Sequence, residues 1–184
     1  MIIADFRVGS RVLGQNPGAV AALAFAPFAI AVAGCSPTGT ASEPSVAATA
    51  QDEAARHPVS GLEVREVVIV SGDKRFAFKT ELALSREEQA RGLMFRDQLA
   101  DDEAMIFPND PPQTRSFWMK NTPISLDILF IDADGRIANI ETAVPYSLDS
   151  VASKGEVIAV FEIRGGLAAE LGVKPGDTLE WDRL

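Results

Sequence analysis

The sequence predicts a mostly β fold, α+β at the margin: a single β-sandwich or barrel-like domain of about eight strands with one or two short helices. The first observation behind this prediction is that short apolar or alternating runs recur from Leu62 onward. The second is that clusters of Gly, Asp, Asn and Pro separate these runs, as turns separate strands in antiparallel domains. A chain of 184 residues has room for one such domain and terminal segments.

The first elements of the predicted domain are a hairpin and a short helix. β-branched residues dominate positions 62–70, and apolar residues alternate with polar ones over 76–82, with turn residues between the two runs. Ser85 and Glu88 have the spacing of a capping box, which predicts a helix that starts at this point. Gly92 is well placed to end that helix after a short run.

The remaining strands are separated by proline-rich or Asp-Gly turns. Residues 104–107 form a predicted strand that Pro108, Pro111 and Pro112 close, and residues 126–131 are apolar on both faces, as in a central strand. The other predicted elements are strands at 114–119, 137–143, 157–163 and 178–181, a loop at 145–155 and a short helical turn at 167–171.

Composition excludes several classes of function. The formal net charge is -9, and an acidic surface repels phosphate backbones, so we expect no nucleic-acid partner. Cys35 and His57 are the only cysteine and histidine of the chain, which argues against a disulfide framework, a Cys/His zinc site and a Cys–His catalytic dyad. We expect a monomeric domain without a metal or another cofactor.

Residues 1–34 resemble a bacterial lipoprotein signal peptide. Arg7 and Arg11 precede an apolar stretch at 19–33 that is shorter than a membrane span. The stretch ends in Val-Ala-Gly-Cys35, which is similar to the lipoprotein processing site. There the cysteine is lipidated and becomes the first mature residue, so the resemblance implies export and acylation, for example with palmitate, at Cys35.

The expected anchor sets the location of the protein. Several acyl chains on Cys35 would hold it stably on a membrane, since each buried methylene contributes about 0.8 kcal/mol. Ser36 follows the cysteine where, in the resembled sorting system, aspartate signals retention in the inner membrane, so we expect the outer membrane, facing the periplasm. Residues 35–61 are rich in Ala, Ser, Thr and Pro, which predicts a disordered tether, with His57 solvated in it, before the domain at 62–184.

Four blocks of the domain resemble one known family. They are Arg91-Gly92-Leu93-Met94-Phe95-Arg96, Asp102-Glu103-Ala104-Met105-Ile106-Phe107, Phe117-Trp118-Met119-Lys120-Asn121-Thr122 and Leu126-Asp127-Ile128-Leu129-Phe130-Ile131. In this order they are similar to the signature blocks of the bacterial and archaeal family catalogued as domain of unknown function 192, over about Leu62 to Trp181. The resemblance implies a compact, mostly β fold and implies no established activity.

Residues 116–122 contain the most distinctive candidate binding residues. In a strand, Trp118 and Lys120 point to one face, while Phe117 and Met119 point to the other face, toward the core. A tryptophan beside a lysine and Asn121, at the end of a rigid strand, is suited to stacking a sugar ring or binding an anionic ligand. The alternative is that Trp118 is buried under the N-terminal hairpin or helix, with Lys120 reaching past it to solvent.

Asp127 opens a strand that is otherwise nearly all apolar. A carboxylate in that place must be paired, since an isolated buried charge is very costly. Its candidate partners are Lys120, Arg91, Arg96 and the backbone amides of the 121–123 turn. Two roles stay open for Asp127: a structural clamp, or a member of one ligand site with Trp118, Lys120, Asn121, Arg91 and Arg96.

These residues lead to three hypotheses for the function, of which we favour the first and expect no catalysis. The first is an envelope-anchored lipoprotein with a noncatalytic binding domain, whose ligand is a small molecule, a glycan or an envelope partner. The second is a structural or assembly lipoprotein without a small ligand. The third is a carboxylate-based hydrolase acting on glycans, with Asp127 and Glu162 as acid and base, which requires carboxyl groups about 5–5.5 or 6.5–9.5 Å apart.

Overall fold

The computed structural model describes residues 55–182, and these residues form nine strands and two short helices. The strands are β1 (Val64–Ser71), β2 (Lys74–Leu82), β3 (Glu103–Gln113), β4 (Ser116–Phe117), β5 (Leu126–Ile131), β6 (Ile137–Ala143), β7 (Val151–Ala152), β8 (Val157–Arg164) and β9 (Thr178–Glu180). The helices are α1 (Arg86–Arg91) and α2 (Leu167–Leu171). The predicted mostly β class with short helices is confirmed.

Seven of the strands lie in one sheet, in the order β6–β5–β8–β3–β2–β1–β9. Neighbouring strands are antiparallel except β2 and β3, which run parallel and therefore need the crossover that contains α1. β4 and β7 form a separate two-stranded sheet. The strands thus occupy one main sheet rather than the two packed layers of a sandwich.

The main sheet curls until its two edge strands approach each other. Arg136, just before β6, forms an isolated β-bridge with Thr178 of β9. The backbone N–H of Ile137 donates to the carbonyl oxygen of Asp177 over 2.8 Å. These bonds involve only the start of β6, so the barrel-like shape is not closed.

Strand alternation gives this sheet two apolar faces. The inner cluster takes side chains from all seven strands and from α2, and it includes Val67, Phe78, Ile106, Leu129, Ile137, Phe161, Ala168 and Leu179. The outer cluster lies under α1 and the long loops, and it includes Leu93, Met105, Phe107, Met119, Leu126, Ile128, Phe130 and Val160. Successive residues from Ile128 to Ile131 of β5 and from Ala159 to Phe161 of β8 belong to different clusters, so one step along these segments changes the surroundings of a side chain completely.

The predicted hairpin and helix cap are confirmed. β1 and β2 pair along almost their whole length, and Gly72 has a φ of 57° in the turn between them. The Ser85 hydroxyl accepts the backbone N–H of Glu88, and Glu88 Oε2 accepts the N–H of Ser85 over 2.7 Å. Gly92 ends α1 with a φ of 48°, a conformation that favours glycine.

The strand after α1 is longer than predicted, and the following one is shorter. β3 continues through three prolines to Gln113, and its register with β8 shifts between Pro108 and Gln113. Such an irregularity accommodates prolines, because the ladder does not need the N–H groups that they lack. Of the strand predicted at 114–119, only Ser116–Phe117 is paired, since its partner β7 has only two residues.

The segment before Leu62 packs against the domain, which corrects the prediction of a solvated His57. The His57 side chain is 14% exposed, and its Nδ1 lies 3.3 Å from Arg96 Nη2 and 3.7 Å from Glu81 Oε1. Arg96 in turn pairs with Glu81 at 2.6 Å, and both of these side chains are buried. A buried ion pair thus gives this segment a polar contact that its composition does not reveal.

The predicted signal peptide, the lipidation site at Cys35 and most of the predicted tether lie outside the described residues. Within residues 55–182, neither helix has the length and apolar character that crossing a membrane requires. α1 has six residues and α2 has five.

Candidate functional site

A pocket opens on the face of the sheet that carries the outer cluster. Its volume is about 140 Å³. Its apolar lining residues are Leu93, Met94, Phe107, Phe117, Trp118, Met119, Leu126 and Leu148, and its polar ones include Gln89, Arg91, Ser116, Thr122, Ser150 and Glu162. Three aromatic rings and one carboxyl group therefore lie among the lining residues.

The aromatic wall is tightly packed. The rings of Phe107 and Phe117 meet edge to face with centroids 5.2 Å apart, and Phe117 meets Phe130 in the same way at 6.4 Å. Gln89 of α1 holds the opposite side in place, because its Nε2 donates to the carbonyl oxygens of Ala83 at 3.2 Å and Pro108 at 3.0 Å. These contacts fix the shape of the pocket without any ligand.

Glu162 has a carboxyl group that this packing leaves without a partner, and among the described residues Asn109 Oδ1 and Arg115 Nε are buried without one as well. Glu162 lies near the end of β8, opposite Met105 of β3 and Ile128 of β5, and it is 5% exposed. Among residues 55–182, no group donates a hydrogen bond to its carboxyl group or forms an ion pair with it. Buried polar groups are nearly always paired, so a carboxyl group that faces a pocket without a partner marks a candidate site.

Desolvation by burial raises the pKa of Glu162 to about 8. At neutral pH this side chain therefore mostly carries a proton and can donate a hydrogen bond as well as accept one. Above that pKa it becomes an anion among aromatic rings. Within the described part of the chain, no group of three or more His, Cys, Asp or Glu side chains is arranged to hold a metal ion.

Three of the predicted binding residues lie together beside the pocket. Trp118 lines it and is half-buried, and Lys120 Nζ lies 5.3 Å from the centroid of the Trp118 ring. Asn121 is exposed, and its Nδ2 lies 3.9 Å from the sulfur of Met94, another lining residue. The predicted group of Trp118, Lys120 and Asn121 is thus present, although only Trp118 lines the pocket itself.

Three strained loop residues surround this corner of the protein. Phe95, Asn121 and Tyr146 have φ values of 64°, 58° and 59°, and they are the only non-glycine residues in the described region with positive φ. Their loops are joined, because Phe95 N donates to Asn121 O over 2.8 Å and Tyr146 N donates to Thr122 O over 3.1 Å. A left-handed conformation costs about 1–2 kcal/mol per residue, and such strain is often found at functional sites.

Asp127 faces the inner cluster, on the opposite side of the sheet from the pocket. Thr142 Oγ1 donates to its Oδ1 over 2.7 Å, and the backbone N–H of Ala168 donates to its Oδ2 over 2.9 Å. Ala168 lies in the first turn of α2, whose own cap, Gly166, supplies no side-chain acceptor. These contacts match the clamp role: Asp127 ties β6 and α2 to β5.

Of the other predicted site residues, Glu162 and Arg91 line the pocket, whereas Asp127 and Arg96 do not. Asp127 and Glu162 lie on adjacent strands but point to opposite faces, so the predicted acid and base do not meet. Arg91 is exposed at the end of α1 and lines the pocket. Arg96 is buried against Glu81 and does not line it.

Sequence reasoning considered Glu162 only as a partner of Asp127 and missed most of the apolar lining. A signal for Glu162 was present, because it is the single carboxylate in the otherwise apolar strand Val157–Ile163. The argument that a buried charge needs a partner applied to it as much as to Asp127. Phe107 and Leu126 stand in two of the family blocks without a binding role assigned to them, and no sequence signal singled out Leu148; all three reach the pocket from distant parts of the chain.

Comparisons with known proteins place the chain in a family. It is similar to a protein of unknown function from Novosphingobium aromaticivorans, with 50% identity and a TM-score of 0.68, over 70% of this chain and 92% of that one. It is also similar to a candidate transcription regulator from Sinorhizobium meliloti, with 37% identity and a TM-score of 0.63, over 65% and 94%. No curated protein matches. The model of the DUF192 family, described as "Uncharacterized ACR", matches residues 67–181, and the chain therefore belongs to this family.

Proposed function

We propose that this domain is a noncatalytic binding module that holds a small molecule in the pocket of Trp118 and Glu162. The observation that carries the proposal is a carboxyl group 5% exposed, without a partner among the described residues, in a pocket whose lining includes three aromatic rings. A buried polar group left unpaired destabilises a protein by about 1–3 kcal/mol. A ligand that pairs with Glu162 removes this cost, so the pocket has the properties of a site that its ligand completes.

The walls of the pocket support binding because they are already in place. The capping box of Ser85 and Glu88 fixes the start of α1, and Gln89 ties the helix to the strands behind it. A site that needs little rearrangement spends less free energy on ordering when its ligand arrives.

Glycan hydrolysis receives less support than binding. Glu162 is the only carboxylate among the pocket-lining residues, and Asp127 points to the other face of the sheet. The usual mechanism places two carboxyl groups on either side of one glycosidic bond. We therefore propose binding without turnover.

A nucleic-acid role, such as the description of the Sinorhizobium protein would suggest, is not part of the proposal. The formal net charge of this chain is -9, and a surface of that sign repels phosphate groups. We therefore do not extend the description of the Sinorhizobium protein to this chain.

We also propose that a lipid on Cys35 anchors the domain in the cell envelope, in the outer membrane facing the periplasm. The basic start, the apolar stretch and the Val-Ala-Gly-Cys35 ending support this location. The test is labelling of the chain with palmitate in growing bacteria, with Cys35→Ser as the control. Label in the unaltered chain alone supports the anchor, and an unlabelled chain in the soluble fraction contradicts it.

The binding proposal is tested with the two tryptophans of the chain, which lie in different places. Trp118 lines the pocket, whereas Trp181 packs against the inner cluster. In a Trp181→Phe chain, the fluorescence reports on the pocket alone. We expect a ligand from a panel of amines, sugars, organic acids and apolar compounds to change this emission saturably.

The matched control is the Trp118→Phe chain, whose remaining tryptophan lies outside the pocket. The same ligand should leave its emission unchanged while it still raises the melting temperature of the unaltered chain. If no compound in the panel changes the emission of Trp118 or raises the melting temperature, a small-ligand site is contradicted.

A structural or assembly role is the second candidate, and one observation favours it. Phe95, Tyr146 and Leu148 are 67%, 63% and 67% exposed on the joined loops beside the pocket. Exposed apolar side chains in one region often mark a surface that another protein covers. Cross-linking in cells, compared between the unaltered chain and a Phe95→Ser, Tyr146→Ser double variant, tests this role, and identical cross-links in both contradict it.

A further inference from the structure

We propose that the pocket takes an organic ammonium ion: a primary or secondary amine in its charged form, whose N–H groups bond to Glu162 while its apolar part contacts the aromatic wall. This inference rests on the proposed function and names the class of ligand for the same site. Three features of the pocket lead to it: the unpaired carboxyl group, the aromatic lining residues, and the small number of other charged lining residues.

The first argument is charge. Glu162 is 5% exposed, and no cation or donor among residues 55–182 compensates it. Two events can satisfy such a group: it takes up a proton, or a cation with N–H groups binds beside it. An ammonium ion supplies both the charge and the hydrogen bonds, whereas a neutral apolar ligand supplies neither.

The second argument is the wall around the carboxyl group. The faces of aromatic rings carry partial negative charge and attract cations, and tryptophan does so best. The chain already places one ammonium on this surface, since Lys120 Nζ lies 5.3 Å from the centroid of the Trp118 ring. Phe117, which also lines the pocket, has the Arg115 guanidinium 5.4 Å from its ring centroid. Cations therefore already border this aromatic wall from outside the pocket.

The hydroxyl groups of the lining already bond within the protein, which favours a ligand with one charged head over a ligand with many polar groups. A sugar needs several hydrogen-bond partners, but the hydroxyls of Ser116 and Ser150 bond to each other, and Thr122 Oγ1 donates to Lys120 O over 3.4 Å. An anionic ligand would be repelled by ionised Glu162. Among the described lining residues, the positive charge that could attract it is that of Arg91, which is exposed. One buried carboxyl group among lining residues that are mostly uncharged suits a ligand with one charged head group.

The size of the pocket limits the apolar part of the ligand. Its volume is about 140 Å³. In another protein, an apolar cavity of about 150 Å³ holds benzene. A ring or a short alkyl chain next to the ammonium group therefore fills the available space.

Binding of an ammonium ion would be linked to proton release. The pKa of Glu162 is about 8 without a ligand, so the group must lose its proton before it pairs with the cation. Among the lining residues in the described part of the chain, the other charged side chain is that of Arg91 of α1. Affinity should therefore increase about fifty-fold from pH 6 to pH 8, as the ionised fraction of Glu162 rises from about one hundredth to one half.

The test compares benzylammonium with benzyl alcohol, a neutral molecule of nearly the same shape, by titration of the full chain carrying Trp181→Phe. At pH 8 we expect benzylammonium to bind at least tenfold more tightly. In the Glu162→Gln chain, this preference and the fifty-fold pH dependence should both be lost. The variant keeps the size and shape of the side chain and removes its ability to ionise.

The outcomes separate this inference from the proposed function. Equal binding of the amine and the alcohol, or an unchanged preference in Glu162→Gln, overturns the ammonium class while the pocket remains a binding site. No response of Trp118 to either probe or to the wider panel overturns both.

An ammonium group can come from a free amine or from a lysine side chain of a peptide. A further titration uses Nα-acetyl-lysine N-methylamide, which carries the same head group on a peptide unit. Tighter binding than benzylammonium identifies a peptide lysine as the source, and weaker binding identifies a free amine. Either result supports an ammonium ligand if the Glu162→Gln substitution abolishes the binding of the probe.

Discussion

The protein treats two buried carboxyl groups on neighbouring strands in opposite ways. Asp127 of β5 pairs in register with Ile163, the residue next to Glu162 in β8, and the two side chains are 1% and 5% exposed. Asp127 accepts hydrogen bonds of 2.7 and 2.9 Å, whereas Glu162 has no partner among residues 55–182. The difference separates a carboxylate that stabilises the fold from one that the fold leaves available.

The two faces of the sheet differ in the same way. On the inner face, Phe78 and Phe161 meet edge to face at 5.6 Å within a continuous core. On the outer face, Phe107 and Phe117 pack at a similar distance but border a pocket of about 140 Å³. Apolar packing alone does not distinguish the two faces. They differ in the buried carboxyl group, which is hydrogen-bonded in Asp127 and unpaired in Glu162.

Glu162→Gln should break this contrast with the largest effect. The pKa of Glu162 is raised from 4.5 to about 8 in the folded protein, so the folded chain keeps a proton that the unfolded chain has lost between these values. The free energy of unfolding of the unaltered protein therefore falls as pH rises through this window and stays level above it. We expect the variant to be more stable at pH 9 by up to about 5 kcal/mol, with the difference vanishing near pH 4.

Urea denaturation at several pH values measures this effect. Glu156→Gln is the matched control, because this carboxylate is exposed and its removal should not change the pH dependence in the same window. A Glu162→Gln chain as pH-dependent as the unaltered one would show that burial does not control the titration of Glu162.

Asp127→Asn should have the opposite sign and a smaller size. The amide can still accept the bond from Thr142, but its NH₂ group would face the backbone N–H of Ala168, so two donors would meet. We expect a loss of about 1–3 kcal/mol in the free energy of unfolding, without a change in ligand binding.

Asp134→Asn, in an exposed turn, is the control for that substitution and should be nearly neutral. Thermal or chemical denaturation of both variants gives the comparison. If Asp127→Asn is as stable as the unaltered chain but loses binding, the role assigned here to Asp127 is wrong.

Ser85→Ala should have the smallest effect on stability of the three substitutions. It tests how much the cap of α1 contributes to the wall of the pocket. It removes the hydroxyl that caps α1, the helix that carries Gln89 and Arg91 to the pocket. We expect a loss of about 1 kcal/mol in stability. Thr114→Ala, at an exposed position in a loop, provides the baseline, and equal stability of the two variants would mean that the cap contributes nothing.

Much of the fold could be predicted because its signals are local. The capping box of Ser85 and Glu88, the glycine turn at Gly72 and the apolar run of β5 each depend on neighbours in the chain. The curl of the sheet could not be predicted in this way. It depends on a β-bridge between Arg136 and Thr178. These residues are far apart in the sequence, so no local pattern predicts that they are in contact.

The candidate site was predictable only in part for the same reason. Trp118, Lys120 and Asn121 are consecutive or nearly so, and the structure places them together. Glu162 comes to Trp118 only through the pairing of β8 with β3 and β5, which no short pattern encodes. Asp127 faces the inner cluster rather than the pocket, and this follows from its contacts with Thr142 and Ala168, which lie far from it in the sequence.

The meeting of the two edge strands has a consequence for how copies of this protein behave when crowded. An exposed sheet edge offers unpaired N–H and C=O groups to another copy of the chain. Here β9 has only three residues, and Asn139 of β6 bonds to Ala152 O at 3.2 Å and accepts from Lys154 N at 3.1 Å, so a loop covers that edge. Little of either edge therefore remains open to pair with another copy of the chain.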